Sequence, residues 1–266
     1  MSVVHNIFNK RPLDFLRLNK FVSSIEGVNF EKRGEETFYY WVERKSTRGF
    51  DITIEQDFIE VRNTVLSNKT DYELTNKIVN EILIETDGLI IGEEDEQVTT
   101  FPIFNEEKIC ETEIRDCEVI QLLSKKDHIA IYGPIREVNF GKRTHKQFEL
   151  LKGKQLRDAM FNLILKVNYQ IPNFEAGNIM QVTSPDDNEK KIMKLLTNSV
   201  DCIIGKYDNI LLYRPDAPIM ITNDILNRFL PLGWTLVDEY TIVAPIIEQS
   251  EWEKLLAKTE KYNMIK

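Results

Sequence analysis

The chain has 266 residues, of which 42% are hydrophobic and 10% are aromatic, and its formal net charge is -9. This length and composition permit one large or two medium folded domains and exclude wholesale disorder. The negative charge repels nucleic-acid phosphate, so we expect no nucleic-acid partner and favour a cationic one.

The first part of the chain predicts a compact β-β-β-α-β unit after a weakly patterned segment. Three stretches between Thr37 and Leu66 alternate apolar and polar residues, which predicts an antiparallel meander with one buried face. Thr70 with Glu73 fits a capping box at the start of the next helix. In order, the predicted elements are an edge strand at 3–8, a short helix at 13–21, the meander with turns at 46–49 and 56–57, a helix at 71–85 and a strand at 89–91.

The aromatic run Phe38-Tyr39-Tyr40-Trp41 lies in the first strand of this meander. Alternation would bury two of the four side chains and expose the other two, so packing within the sheet is the default interpretation. An exposed recognition surface for a partner is the alternative.

An acidic run, Gly92–Gln97, separates the two halves of the chain. Its spacing lacks the alternating ligands and central glycine of a calcium loop. We interpret it as an exposed loop, with a contact to a cation or an arginine-containing peptide as the alternative. We therefore predict an N-terminal α+β domain over residues 1–97 and a C-terminal α+β domain over residues 98–266.

The second half shows strands and helices in irregular alternation, with hairpins. That order favours an α+β fold of mainly antiparallel sheets with amphipathic helices packed on them over a doubly wound sheet. Pro185 and the acids beside it are typical of a helix N-terminus. The predicted elements are helices at 113–125, after Gly141, at 154–166, 188–198, 222–230 and up to 260, and strands at 128–132, 136–140, 179–182, 200–204, 210–213, 218–221 and in a final hairpin over 233–245.

Apolar runs and cysteines bear on the location of the protein. The longest apolar runs, 200–204 and 242–247, are far shorter than the roughly 20 residues of a membrane helix, so no membrane span is predicted. The N-terminus lacks the pattern of a secretion signal, so we expect a cytoplasmic protein. Cys110, Cys117 and Cys202 are an odd number without metal-ligand spacing, so we predict no disulfide framework, no metal site and no cofactor.

The densest group of candidate functional residues lies at 127–150. Gly141 precedes two cations and a hydroxyl at the start of a helix, which predicts an anion site there. The residues of that predicted site are Arg136, Lys142, Arg143 and His145. Ordinary turn chemistry and a solvated basic helix face are the alternatives.

A nucleophilic arrangement is the other chemistry considered for this region. His145 with Asp127, Glu137 and either Cys110 or Cys117 would supply a base, an acid and a thiol. No nucleophile-elbow signature accompanies this group, so a solvated His145 is the favoured interpretation.

Two stretches together resemble a known family. They are R-G-F-D-I-T-I-E-x-x-x-x-x-V-R-N at Arg48–Asn63 and I-Y-G-P-I-R-E-V-N-F-G-K-R at Ile131–Arg143, with an N-terminal M-S-V opening. They resemble the bacterial proteins grouped as domain of unknown function 4299. The resemblance covers most of the chain and implies a bacterial cytosolic protein, but it implies no activity and no catalytic residues.

Charge, together with the lack of a catalytic signature, predicts a non-enzymatic interaction protein. Its acidic surface would bind a basic protein partner, as the immunity proteins of bacterial toxin systems do. The alternative is an enzyme or small-ligand protein whose anion site lies between the two halves. A concave pocket at His145 would favour the alternative, and a contiguous acidic or aromatic face would favour the binding module.

Overall fold

The structure is a computed structural model that describes residues 2–92, 96–183 and 189–265. It divides into two compact units, Met1–Gln170 and Ile171–Lys266, which differ from the predicted halves 1–97 and 98–266. Helices and mainly antiparallel sheets occur in both units, so the predicted α+β class is confirmed. The middle of the acidic run Gly92–Gln97, residues 93–95, lies outside the described residues.

The first unit begins with a large antiparallel sheet and two helices. Its elements are β1 (Val3–Phe8), α1 (Phe15–Ser23), β2 (Val28–Lys32), β3 (Thr37–Val42), β4 (Phe50–Ile54), β5 (Ile59–Asn63), α2 (Lys69–Thr86), β6 (Leu89–Ile91) and β7 (Gln97–Val98). Among the described residues the strands form one sheet in the order β2-β3-β4-β5-β1-β6-β7. The predicted meander is confirmed as β3, β4 and β5. The predicted edge position of the first strand is wrong, because β1 pairs with β5 on one side and with β6 on the other.

One face of this sheet packs against α1 and α2. Tyr40, Phe50 and Ile52 are buried there in one hydrophobic cluster with Leu18 of α1 and Ile78 of α2. Burial of each such large apolar side chain contributes about 1.5 to 3 kcal/mol. The helices thus cover the inner face and leave the polar residues of the meander on the outer face.

The aromatic run does not follow the predicted alternation. Tyr39 and Tyr40 are adjacent and both buried, while Phe38 and Trp41 are half-buried. Tyr40 packs on the inner face, whereas Tyr39 is covered on the outer face because the guanidinium of Arg33 stacks 3.3 Å from the centroid of its ring. The charged side chain of Arg33 therefore helps to bury Tyr39, and the alternation of apolar residues in the sequence does not reveal such a contact.

The start of α2 differs from the predicted capping box. Asn68, not Thr70, is the N-cap, and the reciprocal partner is Asp71, not Glu73. The side chain of Asn68 accepts from the Asp71 backbone N–H at 3.2 Å, and the Asp71 carboxylate accepts from the Asn68 N–H at 3.0 Å. The capping motif is present, but it lies two residues earlier in the chain.

The rest of the first unit is mainly helical. Its elements are α3 (Glu106–Ser124), β8 (Ile129–Tyr132), β9 (Glu137–Phe140), α4 (Lys142–Phe148), α5 (Gly153–Leu165) and a π-helix (Lys166–Gln170). The predicted hairpin is confirmed as β8 and β9. Helix α3 begins seven residues before the predicted start because Asn105 caps it by accepting from the Lys108 N–H at 2.8 Å.

The second unit contains short strands in two sheets. Its elements are β10 (Ile179–Thr183), β11 (Lys190–Leu196), β12 (Cys202–Ile204), β13 (Asn209–Leu212), β14 (Ile219–Ile221), α6 (Asn223–Arg228), β15 (Thr235–Leu236), β16 (Ile242–Ala244) and α7 (Gln249–Thr259), followed by a 3-10 turn (Glu260–Tyr262). In the described part of this unit, the sheets have the orders β10-β11-β13-β14 and β12-β16-β15. One pairing, β11 with β13, is parallel.

The predicted helix at 188–198 is wrong. Residues 184–188, which include its predicted cap and first residue, lie outside the described residues, and Lys190–Leu196 forms β11. This strand pairs with β10 on one side and with β13 on the other. Pairing on both sides satisfies its backbone groups and overrides a local sequence that is also compatible with a helix.

Candidate functional site

The predicted anion-site residues lie around β9 and α4. Arg136 directs its Nη1 to the carbonyl oxygen of Asn168 at 3.2 Å, and His145 Nδ1 lies 2.8 Å from the carbonyl oxygen of Gln121. Lys142 and Arg143 are exposed in the first turn of α4. Arg136 is thus bound to the π-helix and His145 to α3, while the anion site itself stays a prediction.

The predicted nucleophilic group has a buried thiol. Cys117 lies on the buried side of α3, and burial raises the pKa of its thiol. A raised pKa disfavours the thiolate, which is the nucleophilic form of cysteine. His145 is half-buried and its Nδ1 lies 2.8 Å from the carbonyl oxygen of Gln121, which differs from the favoured interpretation of a solvated histidine.

A buried carboxylate at the start of α2 organises the neighbouring turn. Asp71 is 0% exposed. Its Oδ2 accepts from Thr47 Oγ1 at 3.1 Å, from the Arg48 N–H at 3.1 Å and from the Asn68 N–H at 3.0 Å. Its Oδ1 accepts from the Gly49 N–H at 3.0 Å. We call these five residues the Asp71 hub, which fixes the turn between β3 and β4 onto the N-terminus of α2.

The electrostatics of the hub combine opposing effects. Burial raises the pKa of the Asp71 carboxyl, and hydrogen bonds from Ser46, Asn68, Arg48 and Gly49 act against that shift. The partial positive charge at the N-terminus of α2 also favours an anion at this position. Hydrogen bonding and the helix dipole together make a buried carboxylate tolerable here.

Gly49 allows the hub to close. Its φ of +64° lies in the left-handed region, and a Cβ atom there would clash with the carbonyl oxygen of Tyr40 and lie 2.8 Å from Cζ of Tyr39. The hydroxyl of Tyr39 donates to the carbonyl oxygen of Arg48. The turn therefore approaches the sheet more closely than any residue with a side chain would allow.

The outer face of the sheet carries a group of charged residues beside the hub. Tyr39, Asp51 and Arg62 are cross-strand neighbours on β3, β4 and β5, so their side chains share one face. Arg33 places its Nη1 3.9 Å from Asp51 Oδ1. Burial raises the pKa of Asp51, while Arg33, Arg62 and Arg48 oppose the shift. We call Arg33, Arg48 and Arg62, with Tyr39 and Asp51, the arginine face.

The π-helix joins the two stretches that carry the family resemblance. The hydroxyl of Tyr169 donates to the carbonyl oxygen of Ser46 at 3.0 Å, just before the first stretch. The side-chain oxygen of Asn168 accepts from the N–H groups of Ile135 at 2.9 Å and Arg136 at 3.0 Å, within the second stretch. Such π-helical turns are frequent at functional sites, and no periodicity in the sequence marks this one.

Helix α3 has two different acidic sides. On its buried side, Glu113 accepts from the Lys69 N–H at 2.5 Å and Asp116 accepts from the Leu66 N–H at 3.0 Å. Its exposed side carries a second set of acids followed by apolar residues, which we call the α3 face. The residues of the α3 face are Glu107, Glu111, Glu118, Val119, Leu122 and Leu123.

The acids of the α3 face lie along one side of the helix, with the exposed Arg115 between Glu111 and Glu118. Glu107, Glu111, Glu118 and Leu122 follow one another at intervals of four, seven and four residues, which places them in one stripe. Leu122 is 67% exposed. A single exposed apolar residue is common on protein surfaces. Leu122 is informative because it continues an acidic stripe and has other exposed apolar residues beside it.

Lys194 is a buried amine in the second unit. It lies in β11, it is 1% exposed, and its Nζ donates to the carbonyl oxygen of Ala176. Burial lowers the pKa of Lys194 below its ordinary value of 10.5, and the neighbouring Cys202 opposes the shift. The sequence offered no signal for this residue, since lysines are common on strand surfaces.

Replacement of Lys194 by methionine is expected to stabilise the protein. At pH 7 we expect Lys194→Met to raise the free energy of unfolding by about 1 to 3 kcal/mol, because it removes a buried cation. The folded pKa of Lys194 is lowered, so the unfolded wild-type chain binds more protons between that pKa and 10.5. Wild-type stability therefore rises with pH through this interval, and the advantage of the variant shrinks.

Urea denaturation of both proteins at pH 7 and pH 10 measures this effect. Lys190→Met, at an exposed position of the same strand, is the matched control and should change the free energy of unfolding little. An advantage of Lys194→Met that stays constant with pH would contradict the prediction.

Comparison with known proteins places the chain in a family. A family model described as Domain of unknown function (DUF4299) matches residues 2–158, which contain the Asp71 hub, the arginine face and the α3 face. No curated protein and no solved structure matches the chain. None of the helices that the structure describes is both long and apolar enough to cross a membrane. No group of three or more His, Cys, Asp or Glu side chains within 2–92, 96–183 and 189–265 is placed to hold a metal ion.

The family match agrees with the two stretches at Arg48–Asn63 and Ile131–Arg143, so the resemblance is confirmed. The second unit, with Lys194, lies beyond the matched region. Because the match spans more than half of the 266 residues, the chain belongs to the family of domain of unknown function 4299.

Proposed function

We propose that this protein is a bacterial cytoplasmic, non-enzymatic binding module that holds a basic segment of another protein on the α3 face. The observation that carries the proposal is the stripe Glu107, Glu111, Glu118 and Leu122 on one exposed side of a 19-residue helix. Acidic residues would attract the partner, and the apolar residues would provide the desolvated contact. A toxin-immunity protein that neutralises a basic partner is the concrete form of this proposal.

Charge complementarity supports a basic partner over an acidic one. The whole chain carries a formal charge of -9, and its field would steer a cationic protein toward the surface. Arg115 lies on the exposed side of the same helix, and its guanidinium is 3.8 Å from the carboxylate of Asp116. The three exposed acids of the α3 face outnumber this one arginine, so the local charge stays negative.

The apolar end of the α3 face distinguishes it from an acidic surface that serves only solubility. Val119, Leu122 and Leu123 are 37%, 67% and 47% exposed. They lie three and four residues apart, so they form one patch at the C-terminal end of the stripe. A partner with basic residues next to apolar ones, as in a basic amphipathic helix, would match both parts.

The alternative anion site at Arg136, Lys142, Arg143 and His145 has less support. Arg136 and His145 are directed to main-chain carbonyls on different elements, the π-helix and α3. A shared ligand would require the four side chains to converge on one point. The binding module is therefore the function that the geometry supports better.

Charge reversal on the α3 face should weaken binding of a basic amphipathic peptide. The probe is a labelled helical peptide of leucine and lysine, and its affinity is measured by fluorescence anisotropy. We expect Glu107→Lys/Glu111→Lys/Glu118→Lys to weaken binding by about tenfold or more, because three attractive charges become repulsive. The loss should shrink in high salt, which screens exposed charges.

A matched variant separates a local effect from the field of the whole molecule. Glu26→Lys/Glu35→Lys/Glu55→Lys reverses three exposed acids elsewhere in the same unit and changes the net charge equally. Binding by this control should stay within about threefold of the wild type. Equal losses for both triple variants would contradict a dedicated α3 face, and so would an acidic leucine-glutamate peptide that binds as well as the basic one.

A further inference from the structure

We propose that the arginine face binds an anionic group, a carboxylate or a phosphate, of a small ligand, with Arg48 as its principal residue. The site lies on the outer face of the sheet in the first unit and uses none of the residues of the α3 face. It is therefore independent of the proposed protein-binding function. The argument begins with the way Arg48 is held.

The backbone of Arg48 is fixed from both sides. Its N–H donates to Asp71 Oδ2 at 3.1 Å, and its carbonyl oxygen accepts from the hydroxyl of Tyr39. The next residue, Gly49, is held in the left-handed region by the close approach to the sheet. The position from which the Arg48 side chain starts is thus set in advance, which lowers the entropic cost of binding a ligand.

Within the described part of the chain, the guanidinium of Arg48 is incompletely hydrogen-bonded. Its Nε is buried and has no hydrogen-bond partner among the residues that the structure describes. A guanidinium retains its charge at all ordinary pH values, and buried charges are normally paired and hydrogen-bonded. The carboxylate of Asp71 is already occupied by the hub, so it does not serve as that partner.

Arg48 lies among other charged groups. The guanidinium of Arg33 stacks on the ring of Tyr39 and pairs with Glu31 at 2.6 Å, and Arg62 is the cross-strand neighbour of Asp51. Three guanidinium groups and the carboxylates of Glu31, Asp51 and Asp71 therefore lie near one another on this part of the sheet. Within this group, the Nε of Arg48, unpartnered among the described residues, is a charged donor that could hold an anion.

Asp51 adds a requirement on the ligand. Its Oδ1 is buried, has no hydrogen-bond partner among the described residues, and lies 3.9 Å from Nη1 of Arg33. An acceptor next to a guanidinium suits a ligand whose anionic group is adjacent to a hydroxyl or an amine. The class that fits is a hydroxylated or aminated carboxylate, or a phosphate that carries such a donor.

Trp41 provides a signal for binding at this face. Its ring stacks on that of Tyr39 at a centroid distance of 5.2 Å. The wild-type protein is titrated with inorganic phosphate, glycolate and acetate at constant ionic strength, and its tryptophan fluorescence and melting temperature are followed. We expect saturation at about millimolar concentrations for phosphate or glycolate, and Trp41→Phe should remove the fluorescence change but keep the shift in melting temperature.

Matched glutamine variants test the role of Arg48. Arg48→Gln should weaken binding by about tenfold or more, whereas Arg44→Gln, which changes an exposed arginine of the same loop, should leave it within about twofold. Without ligand, Arg48→Gln should be at least as stable as the wild type, because it removes a buried charge. The relative affinities of glycolate and acetate test the proposed contact with Asp51, since only glycolate carries a hydroxyl donor.

The outcomes decide the proposal in both directions. A preference for phosphate over glycolate, or the reverse, identifies the anionic group, and tighter binding of glycolate than acetate supports the contact with Asp51. Unchanged affinity in Arg48→Gln would overturn the proposal, as would a strong loss of stability in that variant without a change in anion binding. If no anion produces a saturable change in either measurement, the arginine face is not a binding site.

Discussion

Asp71→Ala is expected to lower the free energy of unfolding by about 3 to 5 kcal/mol, the range observed when one partner of a buried charged network is removed. The variant leaves the N–H groups of Arg48, Gly49 and Asn68 without their shared acceptor. The Thr47 hydroxyl keeps the carbonyl oxygen of Leu66, at 2.7 Å, as its acceptor. The variant removes one half of the capping box of α2, whereas the bond from the backbone N–H of residue 71 to the Asn68 side chain remains. Urea denaturation followed by far-UV circular dichroism measures the change.

Two comparisons define the cause of the loss in Asp71→Ala. Asp71→Asn keeps one acceptor oxygen of similar shape and should lose less stability than the alanine variant. Asp57→Ala, at an exposed position of the same unit, should change the free energy of unfolding by less than about 0.5 kcal/mol. A loss below about 1 kcal/mol for Asp71→Ala would mean that water replaces the hub interactions, contrary to a buried network.

Gly49→Ala should also lower the free energy of unfolding strongly, by roughly 2 to 5 kcal/mol. An L residue in the left-handed region costs about 1 to 2 kcal/mol, and overpacking adds about 1 to 3 kcal/mol. Here the added methyl group would meet the carbonyl oxygen of Tyr40 and the ring of Tyr39. The same urea experiment gives the value.

Gly153→Ala measures the cost of a left-handed backbone alone, without the steric clash that occurs at Gly49. Gly153 also has a positive φ, +51°, but a Cβ atom there would have nothing within 4 Å. Its replacement should therefore cost only about 1 kcal/mol. Equal losses at Gly49 and Gly153 would show that the contact with the sheet contributes nothing.

Local patterns predicted much of the fold. The alternation of apolar residues over Thr37–Leu66 indicated the meander because one face of β3, β4 and β5 packs on helices and the other does not. The same reasoning failed for Lys190–Leu196, where strand pairing on both sides decides the structure. It also failed for β1, since nothing in a six-residue strand reveals how many neighbours it will have.

The candidate sites were harder to predict for a related reason. Asp71 has the appearance of an ordinary acid in the first turn of a helix, and its burial arises from a turn more than twenty residues earlier in the chain. Arg48 belongs to the stretch that carries the family resemblance, but sequence does not show that its Nε is buried without a hydrogen-bond partner. Arg136 and His145 were predicted as site residues because charged residues are frequent in that stretch of the sequence. A high local density of charged residues does not show that their side chains converge on one point.

The shared acceptor of the Asp71 hub has a consequence for how the first unit assembles. The cap that starts α2 is held by the same oxygen atoms that close the turn between β3 and β4. An isolated α2 would keep its capping box, because that box joins only Asn68 and Asp71. The meander alone would leave the N–H groups of Arg48 and Gly49 without their acceptor. The turn between β3 and β4 is therefore fully hydrogen-bonded only once the start of α2 has docked against it.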